Sequence, residues 1–435
     1  MTDLYWPGDA RAGELMTDRA LVAALVRVEV AWLEVLVAAG IAADSELPAE
    51  GALAELSDQQ LAELAEVAEA GGNPVMPLLS VLRGRLAETS PDAARWLHRG
   101  LTSQDAQDSA LMLMLRDVLQ TLRRELAHQV TALRDLAEEH RDTLAAGRTL
   151  TQHAVPVTFG LIAASWLDGI LDVADDLDQV RSALPAQVGG AAGTLAAITE
   201  LARGLEGGRS LSGGPQRVSR RGLGDPASRA MDLANNLAAR LDLRPGPPWH
   251  TNRRPITRVG DVLAAASDAE GRIANDVLVR TRPEIGELSE AQAPGRGGSS
   301  TMPHKRNPVL SVLIRRAAIE APALSAALHA AAAAAVDQRP DGGWHAEWAP
   351  LRTLARHTVS AASQATELVT NLVVHADRMR EIAVAARDDL LAEARSLREL
   401  TGATQPLSDP ADYLGATDLL IDAVLKRADH FLQEP

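Results

Sequence analysis

Apolar residues recur along most of this chain at intervals of three and four, which predicts helices almost throughout. Thr17 and Asp18 offer an N-cap, and Leu21, Leu25, Val28, Trp32 and Leu36 follow at near-helical spacing until Gly40 supplies a stop. From about 106 to 144 neither glycine nor proline occurs, so one helix of roughly 55 Å is expected there at 1.5 Å per residue. Further long helices are expected near 156–183, 258–285, 307–337 and 353–374. Strand signals are nearly absent: β-branched alternation is scarce, and no Asn-Gly turn joins two such runs.

Proline- or glycine-rich punctuation falls near 72–77, 185–193, 244–248, 294–308 and 339–343. It suggests an all-α protein with an N-terminal helical domain (1–105), a central long-helix bundle (106–345) and a smaller C-terminal helical domain (346–435). Helices of such length pack into an extended bundle, often one shared between subunits. No repeat is visible. The segment 203–226, RGLEGGRSLSGGPQRVSRRGLGDP, has no helical pattern and reads either as a mobile surface insertion or as an anion-attracting lid or arm.

Charge and composition narrow the function classes. A net charge of −15 argues against nucleic-acid binding, and any anionic substrate must be drawn in by a local basic cluster working against the global field. The absence of cysteine removes disulfides, thiolate metal sites and cysteine nucleophiles together. The most apolar segment, ALSAALHAAAAAAV at 323–336, is too short to span a membrane and suits a buried bundle helix. With no basic, apolar leader at the start, a soluble cytoplasmic protein without membrane contact is expected.

Polar residues gather in a few places. HRGLTSQD (98–105) sets His98, Thr102 and Ser103 just before the longest expected helix, as a cap or as a carboxylate cradle. RTLTQHAVPVTFG (148–160) carries Gln152 and His153, and QVGGAAGT (187–194) begins with Gln187 but lacks a nucleotide-binding fingerprint. PWHTNRRP (248–255) brings His250, Asn252, Arg253 and Arg254 together. No Asp/Glu/His set has metal-ligand spacing, so the simplest chemical reading is a metal-free site for a small polycarboxylate. The strongest cluster is GRGGSSTMPHKRNP (295–308). It holds three glycines and Lys305, one of only two lysines in the chain.

Ser299 to Pro308 resemble the signature loop of the fumarase/aspartase superfamily, Gly-Ser-Ser-x-Met-Pro-x-Lys-x-Asn, and 98–105, 148–160 and 187–194 resemble its other regions in the same order. With Arg11 and DPADYLGATDLLID (409–422), the resemblance covers most of the chain. It implies a three-domain helical protomer, a homotetramer with active sites shared between subunits, and no cofactor. Lyases of the superfamily carry a histidine where Leu150 stands here, and its glutamate partner where Val312 stands. The Thr-x-x-Gln-His-Ala-Val-Pro pattern, WHAEW (344–348) and PWHTNR (248–253) instead resemble the 3-carboxy-cis,cis-muconate cycloisomerases. Arg254 departs from that pattern, where Asp is usual.

The resemblance implies that Ser299 is the mobile-loop base, with His153 the other candidate proton carrier and Lys305 completing the catalytic set. Thr102, Ser103, Asn307, Arg253, Gln187, His98 and Arg11 are the implied substrate-binding residues. Which of Ser299 and His153 moves the key proton stays open. The rival readings are a superfamily lyase that releases fumarate from a succinyl-type substrate such as adenylosuccinate, argininosuccinate or nitrosuccinate, and an inactive helical scaffold.

Overall fold

The computed structural model describes residues 3–42, 53–204, 225–299, 301–404 and 407–433. The insertion expected at 203–226 therefore lies almost wholly outside the described residues, as does Ser300. The stretch without glycine or proline forms one helix, and seven helices organise the molecule: α1 (Asp18–Ala38), α2 (Ser103–Glu139), α3 (Phe159–Arg181), α4 (Arg254–Arg280), α5 (Val309–Ala333), α6 (Trp348–Thr370) and α7 (Thr417–Gln433). Thr17 caps α1 by accepting the Ala20 N–H at 3.2 Å. At the head of α2 the Thr102 N–H donates to Asp105 Oδ2 at 3.0 Å, so the cap inferred from Thr-Ser-Gln-Asp forms.

The all-helical architecture matches expectation, but the near absence of strands does not hold in one stretch that carries a candidate site residue, His153. Residues 144–158 form an antiparallel hairpin, β1 (Leu144–Thr149) and β2 (Gln152–Thr158), in which Arg148 pairs with His153. Its two-residue turn is Leu150-Thr151, with φ of 49° and 73°. Both residues are left-handed, which such a tight hairpin turn requires and which normally selects Asn-Gly. Leucine and β-branched threonine adopt that backbone only at a cost of about 1–3 kcal/mol each, so the sequence hides the turn. A second short pair joins β3 (Leu288–Glu290) to β4 (Leu372–Val374).

The interior is aliphatic with a few aromatics, Trp32, Phe159 and Trp166 among the largest buried side chains. The helices run end to end. α2 spans 37 residues, about 55 Å. α4 starts beside the head of α2, where Arg253 meets Asp108. It finishes near the hairpin, where Arg280 and Arg148 both pair with Glu287. α5 then returns over 25 residues, about 37 Å, to a segment in which Arg339 touches Thr102. The bundle thus has two ends, one at the head of α2 and one at the hairpin and glycine-rich loop. No helix among the described residues is long and apolar enough to cross a membrane.

Candidate active site

At the head of α2, Asp105 organises the surroundings. Its carboxylate accepts the N–H groups of Thr102, Gly189 and Gly190 and the Nε2 of His250 at 2.9 Å. The glycines are needed for this approach: a Cβ on Gly189 would sit 2.6 Å from His250 Cε1. One turn deeper, Asp108 takes two hydrogen bonds from Arg253, at 2.7 and 3.0 Å, and one from Trp344 Nε1 at 2.9 Å. Arg253 also pairs with Glu347 and lies over the Trp249 ring, 4.6 Å from its centroid. Burial works against the charge of Arg253, but Asp108 and Glu347 outweigh it and hold its pKa above the ordinary arginine value. Burial pushes Glu347 up to about 7, with Arg253 pulling the other way.

As placed, two of the expected substrate ligands are instead engaged within the chain. The Arg253 side chain is 1% exposed and committed to two carboxylates, so as placed it anchors the scaffold and leaves no face for a substrate. Gln187 is fully buried. Its Oε1 accepts the Trp249 N–H at 2.9 Å and its Nε2 donates to Asp108 at 3.3 Å, which fixes the glycine-rich segment after α3. His98 sits in a left-handed backbone conformation and binds Glu29 through Nδ1 at 2.6 Å, with 11% of its side chain exposed. Thr102 and Ser103 are half-buried at the mouth of this end.

The opposite end is built around the loop from 291 to 308. Glu290 at its start accepts the N–H groups of Leu310 and Ser311 and the Ser311 hydroxyl, so its two stems are tied together. The neck is tied again by Asn307, whose backbone N–H and Nδ2 both donate to Gly297 O, at 2.8 and 3.1 Å. Gly297, with φ +72°, admits this: a Cβ there would lie 2.6 Å from Asn307 O. As placed, the Asn307 amide group closes the loop, and only its Oδ1 remains for other contacts.

Ser299 Oγ faces two backbone donors, Met302 N at 3.1 Å and Thr301 N at 3.4 Å. Such donors favour negative charge on the oxygen, as a serine base requires. Lys305 is exposed and has no side-chain partner among the described residues, and the same is true of His153 on the hairpin. Arg11 donates to Ser363 Oγ at 3.1 Å and to Glu367 at 2.5 Å, and Glu367 is shared with Arg296 of the loop. Arg296 first, and then Arg11, hold the Glu367 carboxyl below its ordinary value.

The candidates therefore separate into two sets. His98, Thr102, Ser103, Gln187 and Arg253 lie at the head of α2, whereas Arg11, His153, Ser299, Lys305 and Asn307 lie at the loop end. The length of α5, about 37 Å, separates the sets, far beyond the reach of one small molecule. Asp105, Asp108, Glu347, Glu367 and Arg339 escaped the sequence reading, since carboxylates and arginines on helices normally indicate solvated faces. Asp105 alone had a signal, as the fourth residue of the capping box.

A bundle of long helices carrying a Gly-rich Ser-Ser-Thr-Met-Pro-His-Lys-Arg-Asn loop at one end and a Thr-Ser-capped helix at the other defines the class of fumarase/aspartase-like enzymes. The family model described as Lyase matches residues 16–203 and 232–322, and the chain belongs to that family within the fumarase/aspartase superfamily. It is 38% identical to the nitrosuccinate lyase of Streptomyces davaonensis, over 95% of this chain and 92% of that protein. To the 3-carboxy-cis,cis-muconate cycloisomerase of Pseudomonas aeruginosa it is 37% identical, over 88% of this chain and 78% of the relative. Among solved structures, the 3-carboxy-cis,cis-muconate lactonizing enzyme of Pseudomonas putida superposes with a TM-score of 0.80 at 30% identity, covering 97% of both chains.

Proposed function

We propose that the protein is a cofactor-independent cycloisomerase converting 3-carboxy-cis,cis-muconate to 4-carboxymuconolactone. The observation that carries this reading is the pair Leu150 and Val312. They occupy the positions of the histidine and glutamate of superfamily lyases, and both are apolar and exposed, at 95% and 52%. The usual imidazole–carboxylate relay is thus absent as a unit, and His153 stands on the hairpin three residues on.

In the reaction, one carboxylate oxygen of the substrate adds to a conjugated double bond and forms the lactone C–O bond. The π electrons move to the carbon α to another carboxylate, as an aci-carboxylate, and a proton from the protein then quenches that carbon. The product carries one negative charge fewer than the substrate. Ser299 and His153 are the proton carriers proposed, each able to contribute about 10²–10⁴-fold. Lys305, with Thr102, Ser103, His98 and Arg11, is proposed to meet the carboxylates where charge develops.

Since the two residue sets stand at opposite ends of one chain, a complete site is proposed to combine ends from different copies in a homotetramer. The exposed face of α5 supports association. Ile319, 70% exposed, and Val312 line an open groove of about 510 Å³ with Leu278, Arg282, Arg315 and Arg316.

The 38% identity to a nitrosuccinate lyase over nearly the whole chain favours a second reading, elimination of nitrite from nitrosuccinate to give fumarate. The same groups would serve it, because that elimination also develops charge α to a carboxylate. Purified protein offered each substrate separately decides between them. Loss of diene absorbance from 3-carboxy-cis,cis-muconate is expected, and release of fumarate and nitrite without it would overturn the cycloisomerase reading.

A further inference from the structure

The N-terminal arm, residues 6–15, lies along α6 and is pinned to it at successive points. Trp6 stacks on His357, with ring centroids 3.4 Å apart. Asp9 and Arg356 form a buried ion pair with two hydrogen bonds, Nε to Oδ1 at 2.8 Å and Nη2 to Oδ2 at 2.6 Å. Arg356 also donates to the carbonyls of Gly13 and Leu15, so one guanidinium holds both sides of the short 3₁₀ turn Asp9–Ala12. Gly8 permits the close approach, since a Cβ there would sit 2.5 Å from Gln364 Nε2. Arg11 stands on this turn and donates to Ser363 and Glu367, which share one face of α6 with Arg356.

Glu367 has a second partner from another region. Its Oε2 takes Arg11 Nη2 at 2.5 Å, while its Oε1 takes Arg296. Arg296 precedes Gly297, whose carbonyl is the clasp for Asn307 at the neck of the loop. It also donates to the Ala291 carbonyl at 3.4 Å. Each carboxylate oxygen is thus spent on a different element, one on the arm and the other on the loop. With these side chains only partly buried, such pairs add little to stability. What the carboxylate fixes is geometry: it sets the separation of two guanidiniums that otherwise repel.

We propose that Glu367 is a positioning residue: it holds Arg11 and Arg296 on its two oxygens and so sets the cation of the arm in register with the loop that carries Ser299 and Lys305. The assignment rests on the reading that Arg11 meets a carboxylate of the substrate. A third of the Arg11 side chain stays exposed, and its Nε has no partner among the described residues, which leaves it a face for that contact. Glu367 would repel an anionic substrate directly, so its favourable effect is exerted through the two guanidiniums.

The test separates reach from charge. Glu367→Asp keeps the carboxylate but withdraws it by one C–C bond, about 1.5 Å, too far to serve both guanidiniums at once. Binding of the unreactive propane-1,2,3-tricarboxylate to the full-length protein is measured by calorimetry, and kcat is measured on the active substrate. Glu367→Asp is expected to weaken tricarboxylate binding about threefold to tenfold and to lower kcat about tenfold, with an unchanged melting temperature. In an Arg11→Gln background the same substitution should change affinity less than about twofold, because no cation is left for it to place. Affinity within about twofold and kcat within about threefold of wild type overturn the proposal, as does an equal loss of affinity in both backgrounds. If the aspartate variant melts early, Glu367→Gln takes its place, keeping the length without the charge. Arg296→Gln, which lowers kcat and affinity in the wild type, should then add less than about a twofold effect, and an undiminished effect overturns the proposal. The affinity comparison needs no turnover, so a protein inert toward both candidate substrates would sink the proposed reaction alone.

Discussion

The two ends of the bundle handle charge in opposite ways. At the head of α2, Asp105, Asp108, Arg253 and Glu347 are all buried, and each is satisfied by partners inside the chain. At the loop end, Ser299 is half-buried and Lys305 exposed, the serine meets only the backbone of its own turn, and the loop is tied down through Asn307 and Arg296 at its neck. One end is a scaffold whose polar groups hold one another, and the other presents the groups proposed to react on a loop tied at its neck. The difference teaches where to expect stability and where to expect rate: deleting a satisfied buried ion should unfold, whereas deleting a group that no other side chain holds should disarm.

The largest effect is expected at the loop end. Ser299→Ala should lower turnover by about 10²–10⁴-fold with an unchanged melting temperature. Near-wild-type turnover would remove the serine from proton transfer. The same variant tests whether the two ends meet between chains. Refolded together one to one, Ser299→Ala and Thr102→Ala subunits should recover up to about a quarter of wild-type activity, because a site drawing each end from a different chain is then intact about one time in four. Ser299→Ala mixed with Lys305→Ala, both at the loop end, should recover nothing. Equal recovery in the two mixtures would break the division into ends.

The scaffold end should respond in stability instead. Asp108→Ala strips an acceptor from Arg253, Gln104, Gln187 and Trp344 at once, and leaves the buried guanidinium with Glu347 as its one carboxylate among the described residues. A loss of about 3–5 kcal/mol in urea denaturation is expected, as for removal of one partner of a buried ion pair. A variant as stable as wild type would show that the network is not what holds this end together.

The long helices were legible in the sequence because periodicity and the absence of Gly and Pro from 106 to 144 leave few alternatives. The hairpin was not. Leu150-Thr151 adopts a turn that neither residue favours, so only tertiary contacts on β1 and β2, such as Arg148 with Glu287, make it form. Ser299, Lys305 and Asn307 were legible as a motif, although a motif could not tell that Asn307 would close the neck of the loop. Arg253 shows the limit most clearly. Whether a guanidinium is spent or free depends on which carboxylates lie within reach, and the partners of Arg253 come from positions 108 and 347, far apart in the chain.

Between the two ends lies a buried acid that tests whether the middle of the bundle is only structural. Glu270 on α4 is fully buried, accepts Gln129 Nε2 at 2.9 Å, and has no partner for Oε2 among the described residues. Burial raises its pKa to about 8, with the Gln129 hydrogen bond opposing and Glu125 adding to the rise. A carboxyl whose folded pKa exceeds its unfolded value contributes stability that is complete below the unfolded pKa. That contribution is lost as pH rises toward the folded one. Wild type should therefore lose stability between about pH 4.5 and pH 8 and level off above. Glu270→Gln keeps the acceptor and cannot ionise, so at pH 9 it should exceed wild type by about 1–2 kcal/mol, with the gap closing by pH 5. Turnover at pH 7 should stay at the wild-type rate. Parallel stability curves for the two proteins across that range would show that Glu270 ionises freely. The middle of the bundle would then be wetter than its packing indicates.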